Sequence, residues 1–415
     1  MSQDTFELQL QEMVHGGNAL GRHAGRPIFV PYAIPGERIR ARLTDDRQRY
    51  AFAEGVTLLE AAPERVIPRC PHFGPGRCGG CHFQHIDYAA QTRFKRDVVI
   101  DQLKRIGGFK NPVVQPTIPS PDAWAYRSHA TFHVSDTGDL CYVATDNESL
   151  IAIEECHIIR PELLDLFYDL SFEDMPDLDR VRLQAGSERG DLMVTISTKS
   201  DDAPELEVNL PVSVNFLLSD NEPVNLIGAS HVNYTVRGRT FRITAGGFFQ
   251  VNLPQAGKLV ELVLERLDLR GDESVLDLYA GVGLFTAFIA ERAALVTSVE
   301  SYPPAVTDAD ENLSDLDNID LIEGAVESVL PDLEGPFDAA VLDPPRSGLD
   351  AAALDALAAH APRAIVYVSC EPSTLARDAK RLAGKGYRLV DTQPVDMFPQ
   401  TYHIECVAHF VRTAP

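Results

Sequence analysis

Polar and apolar residues alternate through residues 5–62, with Phe6, Leu8 and Leu10 in a first run and further runs at 27–32, 38–43 and 51–58. Alternation of that period turns one face of a strand to a core and the other to water. With Gly and Pro between the runs, the segment predicts a small barrel of short strands. The pattern then changes. A helical stretch over residues 91–106 is followed by strand-like runs at 130–134 and 192–196, predicting a central α+β domain. The polar, proline-containing stretch 201–223 is expected to be a loop near its end. Beyond residue 240 the runs become mainly apolar, at 275–278, 295–299, 339–342 and 364–368, with helical patterns at 286–292 and 374–382. Such runs alternating with helices belong to a doubly wound α/β sheet. The expected domains are therefore 1–62, 63–240 and 241–415. A chain of 415 residues, 45% of them hydrophobic, is long and apolar enough to bury a core in each. No internal repeat is evident.

In open α/β sheets, ligands sit beyond the carboxyl ends of the strands. The first apolar run enters Asp277-Leu278-Tyr279-Ala280-Gly281-Val282-Gly283, whose glycines let a cofactor approach the backbone. The second ends in Glu300, about 20 residues on, where a carboxylate can accept both ribose hydroxyls, and no Arg follows to receive a ribose phosphate. The third ends in Asp343-Pro344-Pro345-Arg346, held rigid by prolines that cannot continue a ladder. The last ends in Ser369-Cys370-Glu371-Pro372, which aims a thiol at the same edge. A lone cysteine more often packs than reacts, so Cys370 gains its interest from this company.

Together with Phe248-Phe249-Gln250-Val251-Asn252, the run Ser373-Thr374-Leu375-Ala376-Arg377-Asp378, and Asp396-Met397-Phe398-Pro399 leading through Thr401 and His403 to Glu405, these pieces resemble the RNA uracil-C5 methyltransferases. Those are class I enzymes that use S-adenosylmethionine to make 5-methyluridine. The resemblance implies a Rossmann-like class I methyltransferase domain over 241–415, with Cys370 as the nucleophile that adds to uracil C6 and Glu405 as the base that removes the C5 proton. It also implies a cofactor site of Gln250, Tyr279, Gly281, Gly283, Leu284, Glu300, Ala325 and Asp343. Gln250 would hold the methionine part, Phe248 would lie near the flipped base, and Asp343 would touch cofactor, base or both. Leu284 and Ala325 stand where the family often has polar residues, so backbone groups would have to hold the adenine there. A free thiol is only about a few per cent ionised at neutral pH. The site is therefore expected to lower the Cys370 pKa with the helix start at Ser373 or a cation, and to raise that of Glu405 by burial.

A second signal lies upstream. Cys70, Cys78 and Cys81 form a C-x7-C-x2-C cluster, with Cys156 as a distant fourth thiol. Spacing alone allows zinc or an iron–sulfur cluster. Cys78-Gly79-Gly80-Cys81 followed by Phe83-Gln84-His85, and the later Glu155-Cys156-His157, resemble the members of the family that carry a 4Fe-4S cluster, although the first gap exceeds the five residues usual there. Cys141 and Cys406 are expected in the core. Gly16-Gly17-Asn18-Ala19-Leu20-Gly21-Arg22, with Ile28-Phe29-Val30-Pro31 and Pro35-Gly36-Glu37, resembles the TRAM domain, an OB-like RNA-binding barrel.

Charge narrows the partner. A net charge of −24 excludes a general polyanion binder, since phosphate attraction dominates nonspecific affinity. Residues 1–110 nevertheless carry 16 Lys and Arg against 12 Asp and Glu, leaving the rest at −28, which marks the RNA-binding end. No apolar run reaches the roughly 18 residues of a membrane span, and residues 1–10 lack the basic start and apolar core of a signal peptide. A cytoplasmic monomer acting on RNA is expected. The resemblance favours 23S rRNA, with tRNA as the alternative; RNA cytosine-C5 methylation and a non-catalytic RNA-binding iron–sulfur protein are the remaining readings.

Overall fold

The N-terminal runs form five strands, β1 (Thr5–Met13), β2 (Ala19–His23), β3 (Arg26–Val30), β4 (Arg38–Asp46) and β5 (Ala51–Glu60), closed into a barrel in the order β1-β2-β3-β5-β4. Leu8, Leu10, Ile28, Val30 and Ile39 fill it, one from every second position. The computed structural model describes residues 5–413 except 173, 174, 176 and 205.

After helix α1 (Tyr88–Arg105), strands β6 (His129–Val134), β7 (Leu140–Val143) and β8 (Leu150–Ala152), helix α2 (Pro161–Asp169), and strands β9 (Leu178–Ala185), β10 (Leu192–Thr198), β11 (Ser213–Leu217) and β12 (Pro223–Ile227) follow. The strands make one sheet in the order β12-β11-β10-β9-β6-β7-β8. The stretch 201–223, expected to be a loop, contains β11. Val214 and Phe216 are buried there, and the polar Asn215 that disguised the pattern is buried too, its amide donating to Ala229 O at 3.1 Å. A satisfied polar side chain can occupy a core that composition alone would deny it.

The hairpin β13 (His231–Val236) and β14 (Arg239–Thr244) leads into α3 (Leu253–Leu267), β15 (Ser274–Leu278), α4 (Leu284–Ala290), β16 (Leu295–Glu300), α5 (Pro303–Asn312), β17 (Ile319–Glu323), α6 (Val326–Val329), β18 (Ala339–Leu342), α7 (Ala351–His360), β19 (Ala364–Ser369), α8 (Pro372–Gly384), β20 (Tyr387–Val395) and β21 (Glu405–Arg412). The sheet order is β17-β16-β15-β18-β19-β21-β20, parallel except for β21, which runs against both neighbours. Side chains alternate between two cores: Val275, Val341 and Val366 pack with α3 and α4, while Leu276, Leu342 and Tyr367 pack with α7 and α8. Helix α1 also joins the second core through Phe94, Val98 and Leu103, so the sheet that holds the site draws on residues well before 241. Inside this junction Lys95 Nζ meets Asp396 Oδ1 at 2.6 Å, both fully buried, and donates to Phe398 O at 3.0 Å. Removing either partner of such a pair strands the other charge and costs about 3–5 kcal/mol. Among the described residues no helix is long and apolar enough to cross a membrane.

Candidate active site

Strand β19 ends at Ser369, and Pro372 opens α8 with the fixed φ that suits a first helical position, leaving Cys370 on the turn between them. Glu371 caps α8, accepting from Ser373 N at 3.2 Å and Ser373 Oγ at 2.7 Å. Because β21 is antiparallel to β19 with Ser369 opposite Cys406, the next pair in register is Cys370 and Glu405. A strand from the far end of the chain therefore delivers its first residue to the edge where the parallel strands end. Asp343 follows β18 at the same edge, after Leu342 pairs with Tyr367.

Burial governs the protonation of this trio. It pushes the Glu405 carboxyl well above its usual range, the neighbouring Asp343 adding to the effect, and Oε1 of Glu405 has no hydrogen-bond partner. It also lifts Asp343 to about 7. Cys370 is pushed up to about 12 by burial, then by Glu405 and Asp343, with Arg346 opposing. The expected lowering of the thiol pKa is therefore corrected: the start of α8 is taken up by its own acidic cap, and two neighbouring carboxyls outweigh one arginine. Arg346 in turn lies 3.2 Å from His403 Nδ1.

A cleft of about 450 Å³ opens beside the trio. Of the residues expected to hold a cofactor, Gln250, Tyr279, Gly281, Leu284, Glu300 and Asp343 line it. Gly283 supports the turn: its φ is +87°, and a Cβ there would stand 2.9 Å from Leu313. Glu300 is oriented by Gly281 N at 2.9 Å on Oε2 and by Ser301 N at 2.7 Å and Tyr302 N at 2.8 Å on Oε1, and Oε2 retains capacity for a further donor. Ala325 precedes α6 and is not in the lining; Glu327, which accepts from Tyr279 OH at 3.0 Å, is. Tyr302 was also missed. Neither residue belongs to a strand-end motif, although the helical spacing after Ala325 could have pointed to Glu327. Behind the glycine turn Asp277 is buried, accepts from Thr286 Oγ1 at 2.6 Å, and is lifted by burial to about 7. Phe248 is 68% exposed at the rim, and Asp343 belongs both to the cleft and to the Cys370–Glu405 pair. Apolar walls, exposed backbone and an oriented acid fit an adenosyl group.

The chain has matches that agree with this geometry. Residues 229–413 match the tRNA (uracil-5-)-methyltransferase family model and residues 4–56 the TRAM domain. An uncharacterized RNA methyltransferase of Halalkalibacterium halodurans is 34% identical over 98% of this chain and 96% of its own. One from Streptomyces avermitilis is 34% identical over 98% of both. The chain belongs to the RNA uracil-5 methyltransferase family. The crystal structure of Pyrococcus abyssi tRNA (uracil-54, C5)-methyltransferase with S-adenosyl-L-homocysteine superposes on this methyltransferase with a TM-score of 0.76 and 27% identity, over 98% of this chain and all of that one. The class I fold and the TRAM barrel expected from sequence are thus present.

Cys70, Cys78, Cys81 and Cys156 of the methyltransferase converge on one cavity with Gln84, Tyr142 and His157, all four as free thiols. Burial pushes Cys78 to about 11 and Cys81 to about 12. Among the described residues no three His, Cys, Asp or Glu side chains are grouped to hold a single metal ion. Cys141 and Cys406 are buried. On the barrel, Phe29, Tyr50 and Phe52 form a triangle of rings with centroids 5.4–5.9 Å apart, and Tyr50 is 36% exposed.

Proposed function

We propose that this enzyme methylates C5 of a uridine in RNA, with S-adenosylmethionine in the cleft, and that its substrate is 23S rRNA. The observation that carries the mechanism is the register of β19 with β21, which ends at Ser369 and Cys406 and so brings Cys370 near enough to Glu405 and Asp343 for both acids to raise its pKa, with Asp343 joining them to the cleft. S-adenosylmethionine supplies an electrophilic methyl group and a sulfonium charge that favours the ionised forms of Asp343, Cys370 and Glu405. Cys370 loses its proton to solvent and adds as thiolate to uracil C6, moving the C5–C6 electron pair onto C5; C5 would then take the methyl group as its bond to the sulfonium sulfur breaks and the thioether S-adenosylhomocysteine leaves. Glu405 as carboxylate removes the remaining C5 proton; that electron pair restores the double bond and expels the thiolate. Because C5 and C6 are out of reach within a helix, the uridine is extruded, and Phe248 at the rim offers a face for it.

The cysteine quartet supports a 4Fe-4S cluster: four free thiols around one cavity suit a cubane, which holds its ligand sulfurs farther apart than one ion does. The cluster would replace the thiol protons that burial otherwise keeps in place. On the barrel, the ring triangle offers stacking surface for unpaired bases. Action in the cytoplasm and as a monomer completes this reading. A tRNA substrate is the second one, favoured by the likeness to the Pyrococcus abyssi tRNA enzyme.

The test is transfer of labelled methyl to unmodified rRNA and tRNA, followed by nucleoside analysis. Label in 5-methyluridine of rRNA is expected; label in tRNA alone selects the second substrate, and label in cytidine, or none, defeats the proposal. Glu405→Gln should accumulate a covalent RNA adduct that Cys370→Ala cannot form.

A further inference from the structure

A second cavity, of about 380 Å³, opens on the central sheet on the side away from α2. Strand β9 sends Val181 and Leu183 into the core shared with Leu163 and Leu166 of α2, so its alternate residues Arg180, Arg182 and Gln184 project from the opposite face. Register puts Arg182 between Thr131 of β6 and Thr195 of β10, and all three line the cavity. One row behind, Gln184 stands beside His129.

This face is short of partners. The Arg182 Nε is sealed from solvent without an acceptor, and Thr195 Oγ1, in a residue only 4% exposed, also has none. The His129 Nδ1 is in the same condition. Two carboxylates share the cavity, and neither pairs with Arg182. Asp179 lies 3.3 Å from Arg180, and Asp201 accepts from Ser219 N at 2.8 Å and Ser219 Oγ at 2.5 Å. Burial pulls the Arg182 pKa below its usual value, as expected of a cation that has lost water without gaining an anion. An unpaired, partly desolvated charge is costly, and the cost is recovered when a ligand supplies the opposite charge.

We propose that Arg182, with Thr131 and Thr195 on either side, forms a binding site for the phosphate group of a ribonucleotide. A guanidinium fork matches phosphate oxygens in two places, and hydroxyl donors flank it here on both sides. The cavity is large enough for a nucleotide rather than a bare ion. It also shares a wall with the cofactor cleft: Tyr302 lines the cleft and donates its hydroxyl to Asn221 O at 2.8 Å, while Asn221 and Gly246 line the cavity. A phosphate held there would stand next to the cofactor cleft. Its source is either a phosphodiester of the RNA substrate, which rests on the RNA-methylating reading above, or a free nucleotide.

Calorimetric titration of the full-length protein with inorganic phosphate and with uridine monophosphate, combined with RNA binding measured against salt, tests the site. Uridine monophosphate should bind the parent protein, bind Arg182→Gln at least tenfold more weakly, and bind Arg182→Lys with an affinity between the two, since the ammonium keeps the charge but loses the two-point fork. If the phosphate belongs to RNA, Arg182→Gln should also lower the salt slope of RNA binding by about 0.7, the share of one single-strand phosphate, while the exposed Arg180→Gln should not lower it as far. Loss of nucleotide binding with an unchanged slope assigns the site to a free nucleotide. Should Arg182→Gln melt early, Thr195→Val, which keeps the charge, should still weaken uridine monophosphate several-fold. Phosphate and nucleotide binding that survives Arg182→Gln overturns the proposal, as does a parent protein that binds neither while Arg182→Gln leaves the RNA slope unchanged. A parent that binds the nucleotide but no RNA defeats only the RNA-methylating reading.

Discussion

Cys370 illustrates how little a residue's identity says about its protonation. Its place at a strand end is legible in Ser369-Cys370-Glu371-Pro372, and so is Pro372 as a helix start. Its pKa is not, because burial, Glu405 and Asp343 set it, and the two acids arrive on β21 and β18. Glu371, the immediate neighbour, goes the other way. Burial opposes its ionisation, but hydrogen bonds from His15 and Ser373 hold it at about 2. The sign for Cys370 follows directly: with a pKa pushed up to about 12, the thiol is protonated throughout the physiological range, and its thiolate fraction grows about tenfold per pH unit. Alkylation of Cys370 by iodoacetamide in the ligand-free enzyme, followed on its own peptide by mass spectrometry, should therefore be slow at neutral pH and climb without levelling between pH 6 and 9. A plateau below pH 8 would show a thiolate already formed in the resting site, and with it a different activation step.

The loops between strands carry what the motifs leave out. Two backbone amides of the cysteine segment, His82 N and Phe83 N, donate to Gln400 O at 2.8 and 2.9 Å, and the Gln91 side chain exchanges hydrogen bonds of 3.0 Å with Gln400. Gln400 sits between β20 and β21, five residues before Glu405, so the proposed cluster site and the loop that leads to Glu405 share a brace. Protein prepared without oxygen should be brown, with about four irons per chain. Cys81→Ser should lose the iron and speed amide exchange at Gln400 and its neighbours; colourless parent protein with one zinc would refute the cluster. The thiol spacing made such a site visible from sequence, whereas the brace joins residues 309 positions apart and leaves no local trace. Other elements divide in the same way. The apolar runs of the catalytic sheet announced themselves because both faces are buried. Strand β11 did not, since its Asn215 is satisfied by a carbonyl beyond the strand. Ala325 was expected in the cleft from its place in the family pattern, but the chain turns into α6 there and presents Glu327 instead.

The barrel is a separate core in composition, yet it is seated against the turn that carries Cys370. His15 Nε2, in the loop between β1 and β2, meets Glu371 Oε1 at 3.0 Å, one residue from Cys370. In the same loop Gly17 lies against Tyr402 and Phe83, where a Cβ would come within 2.9 Å of Tyr402 Cβ. An RNA that engages the barrel's aromatic face would thus act on a body whose loop touches both the turn that carries Cys370 and the cysteine segment. Gly17→Ala tests this seating, provided that backbone strain is separated from the contact, because φ at Gly17 is +79°. Gly25 supplies the control: its φ is +81°, and nothing lies within 4 Å of a Cβ placed there. Gly25→Ala should therefore cost only the roughly 1–2 kcal/mol of a left-handed non-glycine residue. Gly17→Ala should cost that plus about 1–3 kcal/mol of overpacking, or else let the barrel lift from Tyr402. Denaturant melts give the first quantity, and amide exchange at Phe83 and His403 reports the second. If seating matters to the reaction, methyl transfer should fall several-fold in Gly17→Ala and stay near the parent value in Gly25→Ala. Equal activity in the two variants, with exchange faster only in Gly17→Ala, would show that the barrel carries RNA without aligning the site.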